Sequence, residues 1–218
     1  MENDSKFKII AVVINEVNYK EYDKLFTLFT KTLGKIKSYA FGVRRQNSKK
    51  IGTLRLFSFC EVELKESLGK YNIEDANIIN SFDEIATDYE SMCYASYFVE
   101  VVDYLSFENI ESSEIFYLLY YSFKALIDKK VDYKLIKLIF DLKILKYQGE
   151  YIMSDMITNQ NETLKYTWDY VLNSEVKKLY SFNLSDDVYN LFKKEVDKEF
   201  KSKIDMKFKS LKNQISNG

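Results

Sequence analysis

The sequence predicts an α+β fold: an N-terminal five-stranded β-barrel of the OB type, followed by an all-helical domain. Two observations carry this. Up to about residue 83 the apolar runs are short and β-branched, and none shows a helical period. Beyond it, apolar residues recur three and four positions apart, as in helices that bury one face. The expected domains are 1–82, an OB-like barrel, and 83–218, a helical domain.

Five runs read as strands. Lys8 to Ile14 (KIIAVVI) comes first, then Lys24 to Thr30 (KLFTLFT) and Lys35 to Phe41 (KIKSYAF). Phe57 to Leu64 alternates Phe57, Phe59, Glu61 and Glu63 on one side against Ser58, Cys60, Val62 and Leu64 on the other. Tyr71 to Phe82 is the fifth. The separators Asn18 to Tyr22, Leu33-Gly34, Gly42 to Lys50 and Ser67-Leu68-Gly69 suit turns. Five such strands fit a small closed barrel. In an OB barrel the strand face and loops are a common surface for single strands.

The helices follow. Tyr89 to Tyr104 is apolar almost throughout and reads as buried. Ser113 to Ile127 puts Phe116, Leu119, Phe123 and Ile127 on one stripe, and Tyr133 to Tyr147 does the same with Leu135, Leu138, Ile139, Leu142 and Leu145. Gly149 is placed to end that helix. Gln148 to Asn161 is polar and irregular, a loop. Thr163 to Leu172 is a short helix carrying Trp168. Ser185 reads as an N-cap with Asp186 and Asp187 in the first turn. From there one or two helices are expected to reach Ile215, through Val188, Leu191, Phe192, Val196, Ile204, Phe208 and Leu211.

Composition narrows the chemistry. The chain has 18 Tyr and 16 Phe, no Pro and no His, a pattern typical of an AT-rich genome. Without His, no imidazole base or ligand exists. Cys60 and Cys93 are far apart and unpatterned, which fits core thiols in a reducing cytosol and argues against a zinc site. No metal and no cofactor are expected. The polar start, Met1 to Lys8, predicts no secretory signal, and no apolar run approaches a membrane span. The expected location is cytoplasmic, without membrane contact.

Charge is unevenly spread. Lys31, Lys35, Lys37, Arg44, Arg45, Lys49, Lys50 and Arg55 fall in one window that holds no Asp or Glu, and its three arginines are all the chain has. The rest carries 24 basic and 33 acidic residues. Guanidinium groups bind phosphates bidentately and stack on flat rings, so the window points to a polyanion, nucleic acid first. Lys35, Lys37, Tyr39 and Phe41 share a strand face, and the loop Gly42 to Lys50 adds four charges beside it. Rings stack bases while cations track phosphates. The face with two lysines should be the outer one. Tyr39 is then the stacking ring. Phe41, where the strand ends, is expected to turn back into the core.

The same residues resemble a known family. Thr27-Leu28-Phe29-Thr30, Leu33-Gly34-Lys35, Phe41-Gly42-Val43-Arg44-Arg45 and Ser48-Lys49 are similar to the N-terminal domain of RecO, a bacterial DNA repair and recombination mediator. Val13-Ile14, Glu21, Asp23-Lys24 and Leu54 to Phe59 fit it too. Phe208-Lys209-Ser210-Leu211-Lys212 is similar to the family's terminal helix. The resemblance covers most of the chain and is most specific in the first 60 residues. It implies an OB barrel, then a helical domain. It implies no enzymatic activity. The family binds single- and double-stranded DNA, anneals strands coated by single-strand binding protein and, with RecR, helps load RecA. Taken with the basic window and its strand face, the expected DNA-binding residues are Lys35, Lys37, Tyr39, Arg44, Arg45, Ser48, Lys49, Lys50 and Arg55. Many members carry a four-cysteine zinc module where this chain has Gln148 to Asn161 and no Cys. In the family the acidic, apolar-tipped tail of single-strand binding protein is a further ligand. Tyr117, Tyr120 and Tyr121 do not fit one buried stripe, so a groove there, rimmed by Lys124, Lys129 and Lys130, is where that tail is expected.

Two other readings stay open from the residues alone. The basic loop would dock an acidic protein surface on an OB-like interaction module. Glu61 and Glu63, on one strand side, would share a metal in a nuclease, although a solvated outer face explains them more simply.

Overall fold

The computed structural model describes residues 5–149 and 162–211, without the side chains of Lys49 and Ile51. The chain divides into two compact units: Met1–Glu84 with Val102–Phe116, and Ile85–Val101 with Tyr117–Gly218.

In the first unit, β1 (Ser5–Tyr19), β2 (Asp23–Thr30), β3 (Gly34–Ala40), β4 (Phe59–Ser67) and β5 (Lys70–Asn80) close a barrel in the order β1-β2-β3-β5-β4. β3 and β5 pair in parallel, Ser38 with Tyr71 and Tyr39 with Asn72. The other pairings are antiparallel. Closure leaves no free sheet edge. Alternation selects the core: Ile9, Ala11 and Val13 from β1, Phe26 and Leu28 from β2, Ile36 and Ala40 from β3, Cys60, Val62 and Leu64 from β4, and Tyr71 and Ile73 from β5. Outside the barrel, Phe59 meets Phe82 and Phe116 edge-on, at 5.6 and 5.2 Å between centroids. Phe59 is therefore buried although its parity points outward.

The strand boundaries differ from expectation in two places. β1 runs to Tyr19 rather than Ile14, because a bulge between Val13 and Asn15 shifts the register and the pairing with β2 continues to Tyr19–Asp23. β4 begins at Phe59, not Phe57, since Phe57 has φ 73° and cannot extend a strand.

Within the first unit, the connection after α1 (Tyr89–Leu105) is stitched to the β2–β3 turn. Lys35 N–H donates to the Phe107 carbonyl at 3.2 Å and Asn109 N–H to the Leu33 carbonyl at 2.9 Å. Gly34 sits against this connection.

The second unit contains most of α1 and α2 (Ser113–Asp128), with α3 (Tyr133–Tyr147), α4 (Glu162–Asn173) and α5 (Asp186–Lys203). α3 starts at Asp132, whose carboxylate caps the Lys134 N–H at 2.7 Å, and ends where the Gly149 N–H bonds back to the Lys146 carbonyl. Trp168 of α4 packs edge-on against Phe192 of α5 at 5.8 Å. The buried Asp141 takes a hydrogen bond from the Tyr97 hydroxyl at 2.8 Å and an ion pair from Lys137, so this buried carboxylate is paired.

Helix does not extend beyond Lys203 among the described residues. Ile204 and Leu211 are buried at the spacing expected of a helix, yet the backbone between them is irregular. The Glu100 carboxylate takes the N–H groups of Lys209 and Ser210, and Phe208 lies edge-on to Tyr97 at 5.4 Å. Those contacts replace helical ones. The expected terminal helix is thus corrected for residues 204–211. Lys212 and Ile215 lie outside the described residues, as does 150–161, most of the expected loop.

Candidate nucleic-acid interface

β3 places its residues by simple alternation. Ile36, Ser38 and Ala40 point inward and are buried, while Lys37 is exposed and Lys35 and Tyr39 are half-buried on the outer face. Phe41 follows on that outer face and is 55% exposed. The expectation that it turns into the core is therefore wrong. Val43, 1% exposed, occupies the core position instead, reached through the turn at Gly42.

The loop after β3 is held by its backbone. Gly42 N–H donates to the Asp23 carboxylate at 2.7 Å, and Arg44 N–H to the Tyr22 carbonyl at 2.9 Å. The Arg44 guanidinium donates to the Glu21 carbonyl at 3.1 Å, which uses one of its five donors. Arg45 stands over the Tyr22 ring, 5.6 Å from its centroid. Both arginines remain exposed. Tyr22, Arg44, Arg45 and Gln46 line a shallow open hollow.

The structure separates the remaining site residues. Lys37, on the same face as Tyr39, has no ion-pair partner among the described residues. Lys35 is tied to Asp103, at 3.0 Å from its carboxylate, and also donates to the Asp103 carbonyl. Arg55 pairs with Asp83 at 2.9 Å. Lys50 reaches back to the Ile73 carbonyl at 2.9 Å. Ser48 is half-buried at the start of the 3-10 turn Lys49–Gly52, with no side-chain cap bond. The side chain of Lys49 lies outside the described part. The structure thus brings Lys37, Tyr39, Arg44 and Arg45 to one corner of the barrel, while Lys35 and Arg55 already hold carboxylates.

Two rings at this corner, Tyr19 and Tyr22, were missed, and a third, Phe41, was expected to turn away from it. Tyr19 packs edge-on against Tyr39 at 5.1 Å, Phe41 lies parallel to Tyr39 within 7°, and Tyr22 supports Arg45. Lys20 adds a cation 5.3 Å over the Tyr19 ring. Reading β1 as ending at Ile14 placed Tyr19 and Tyr22 in a plain turn.

Elsewhere, Glu61 pairs with Lys8 at 3.0 Å, as a solvated outer strand face would. Among the described residues no cluster of three or more His, Cys, Asp or Glu could hold a metal ion. Cys60 and Cys93 are buried, and burial pushes the Cys60 thiol up, away from reactivity. The residues at hand do not fit a zinc module. In the second unit Lys124, Lys129 and Lys130 are all exposed, and Lys129 is paired with Asp88 at 2.8 Å. Tyr117 is exposed, and Tyr120 meets Tyr121 edge-on. Tyr166, Tyr170, Phe182 and Asn183 line an aromatic hollow that the sequence reading did not single out. No helix among the described residues is long and apolar enough to cross a membrane.

Comparison with known proteins agrees with this architecture. Residues 1–82 match the family profile described as Recombination protein O N terminal, and residues 86–207 match Recombination protein O C terminal. The chain belongs to the RecO family. A DNA repair protein RecO of Clostridium novyi (strain NT) is 33% identical over 145 residues, 66% of this chain and 57% of that protein. Its counterpart in Clostridium kluyveri is 34% identical over 143 residues, 66% of this chain and 56% of its own length. The DNA repair protein RecO of Acetivibrio thermocellus matches at 25% over 215 residues, 83% of this chain and 85% of its length. The matched stretch spans little more than half the length of the two Clostridium relatives. Within the RecO family pattern, Gly34-Lys35 here contacts the chain's own connection after α1, whereas Arg44-Arg45 faces solvent.

Proposed function

We propose that the chain is a DNA repair and recombination mediator, and that the corner formed by β3 and the loop after it is its DNA-binding face. The activity is non-enzymatic: binding of single- and double-stranded DNA, annealing of complementary strands and, with RecR, loading of RecA onto DNA coated by single-strand binding protein. The tail of that protein meets the helical unit near Lys124, Lys129 and Lys130. The observation that carries the reading is the pair Arg44 and Arg45, exposed on a loop whose backbone is pinned, beside exposed rings and in a window without a carboxylate. Cations held ready for phosphates need little reordering on binding. Lys37, Ser48, Lys49 and Lys50 complete the set, with Lys35 and Arg55 joining once released from Asp103 and Asp83.

A salt titration tests it. For four to six phosphate contacts on a single strand, log affinity should fall with log salt at a slope of about −3 to −4. Arg44→Ala with Arg45→Ala should flatten that slope by about 1.4, roughly 0.7 per contact, and weaken all sequences alike. A double variant with unchanged affinity and slope refutes the assignment. Binding that disappears on chelating divalent metal, or strand cleavage, would point to a nuclease.

A further inference from the structure

Tyr39 and Phe41 are two residues apart along the outer face of the barrel, so both side chains project the same way. Their rings are parallel within 7°, with centroids 6.1 Å apart. Phe41 keeps more than half of its surface in water. Burying a phenyl ring is among the larger apolar gains a chain can make, so a ring held outside is conspicuous. Its position is set by local contacts. Tyr19 braces Tyr39 edge-on at 5.1 Å. Directly after Phe41, the Gly42 N–H is held by the Asp23 carboxylate. The rings are therefore placed before any ligand arrives.

We propose that Tyr39 and Phe41 form a stacking subsite for unpaired bases, and that this subsite gives the face its preference for single strands over duplex. The inference rests on the DNA-binding reading above. Phosphates are present on both kinds of DNA, so Lys37, Arg44 and Arg45 attract both alike. Ring faces are different. A paired base hides its faces in the stack, and only an unpaired one can lie against a side-chain ring. The cations set affinity and the rings set strand type. An apolar peptide would be a poorer occupant, because Lys37, Arg44 and Arg45 flank the rings. A strand following β3 into the loop sets its phosphates along Lys37, Arg44 and Arg45 while its bases reach the rings.

Fluorescence anisotropy on the full chain decides the matter with three probes: oligo(dT), an equally long strand of abasic sugars, and a duplex. The wild type should bind oligo(dT) more tightly than either of the others. Tyr39→Ala and Phe41→Ala should each weaken oligo(dT) binding about 5- to 150-fold, the equivalent of ~1–3 kcal/mol. Neither should alter abasic-strand affinity or the salt slope, and Tyr39→Phe and Phe41→Tyr should retain wild-type selectivity. Circular dichroism melts establish folding. If an alanine variant fails to fold, Tyr39→Leu and Phe41→Leu remove the ring while keeping apolar bulk. A wild type that binds abasic strands as tightly as oligo(dT), with its arginine-dependent slope intact, overturns the subsite and leaves DNA binding standing. Absence of binding to all three probes overturns both.

Discussion

Replacing Gly34 by Ala should be far more damaging than its place in a surface turn suggests. The residue has φ +61°, where an L side chain is strained by about 1–2 kcal/mol. A Cβ there would also lie 2.1 Å from the Phe107 carbonyl oxygen and 2.7 Å from that of Ile110. Both are backbone atoms and cannot rotate away. The connection after α1 would have to retreat, stretching the bonds Lys35 N–H to Phe107 and Asn109 N–H to Leu33. Each is worth about 0.5–1.5 kcal/mol net. Strain and lost bonds together come to about 2–5 kcal/mol. Gly69 supplies the control. It has φ +69° and open space where a Cβ would go, so Gly69→Ala should show the strain alone, about 1–2 kcal/mol. Urea unfolding of the two variants measures both losses. If Gly34→Ala loses no more than Gly69→Ala, the backbone contact is not what this glycine serves. The Gly-Lys pair of the family pattern would then need another explanation.

Two further outcomes are expected. Asp83→Asn and Asp103→Asn remove the carboxylates from Arg55 and Lys35 and should raise DNA affinity a few-fold with a steeper salt slope; unchanged titrations would place these two cations outside the DNA path. Asp88 accepts hydrogen bonds from Lys129 and Tyr133, which hold its carboxyl down to about 2, and it also takes the N–H groups of Glu90 and Ser91 at the start of α1. Its folded value lies below the usual 3.8. Its stabilisation is therefore complete above that value and is lost as pH falls toward 2. Asp88→Ala should cost about 1 kcal/mol near neutral pH and reduce the acid loss of stability, as read by urea melts from pH 7 to 2.

Much of this architecture is written in local pattern. β4 declares its core side through Cys60, Val62 and Leu64, and Gly149 marks the end of α3. The outer face of β3 follows from the two lysines that cannot be buried. Other features depend on partners distant in sequence. The β1 bulge breaks the alternation that would have carried the strand to Tyr19. Parity by itself puts Phe41 outward with Tyr39; what it does not reveal across the Gly42 turn is that Val43 takes the core position. The stretch after Lys203 keeps a helical spacing of apolar residues, but Glu100 decides its backbone. Asp103 lies 68 residues from Lys35, and Asp83 28 from Arg55, so neither pair is visible in spacing.

One sequence signal does anticipate those pairs. From Tyr71 to Phe123 the chain has eleven acidic residues and no basic one, a counterpart to the window Lys31 to Arg55. The fold sets the two stretches against each other at particular points, Lys35 with Asp103 and Arg55 with Asp83. These are exposed pairs, each worth little in stability. Their electrostatic effect is larger, because each carboxylate cancels the field of its partner at the distance of a phosphate. Of eight cations in the window, two are neutralised in this way. Of the others, Lys37, Arg44 and Arg45 stand at the corner where Tyr39 and Phe41 project. With two of the eight held by carboxylates, the salt slope should return about four to six effective contacts rather than eight. Asp103 and Asp83 hold Lys35 and Arg55, and Lys37, Arg44 and Arg45 are the cations beside the rings.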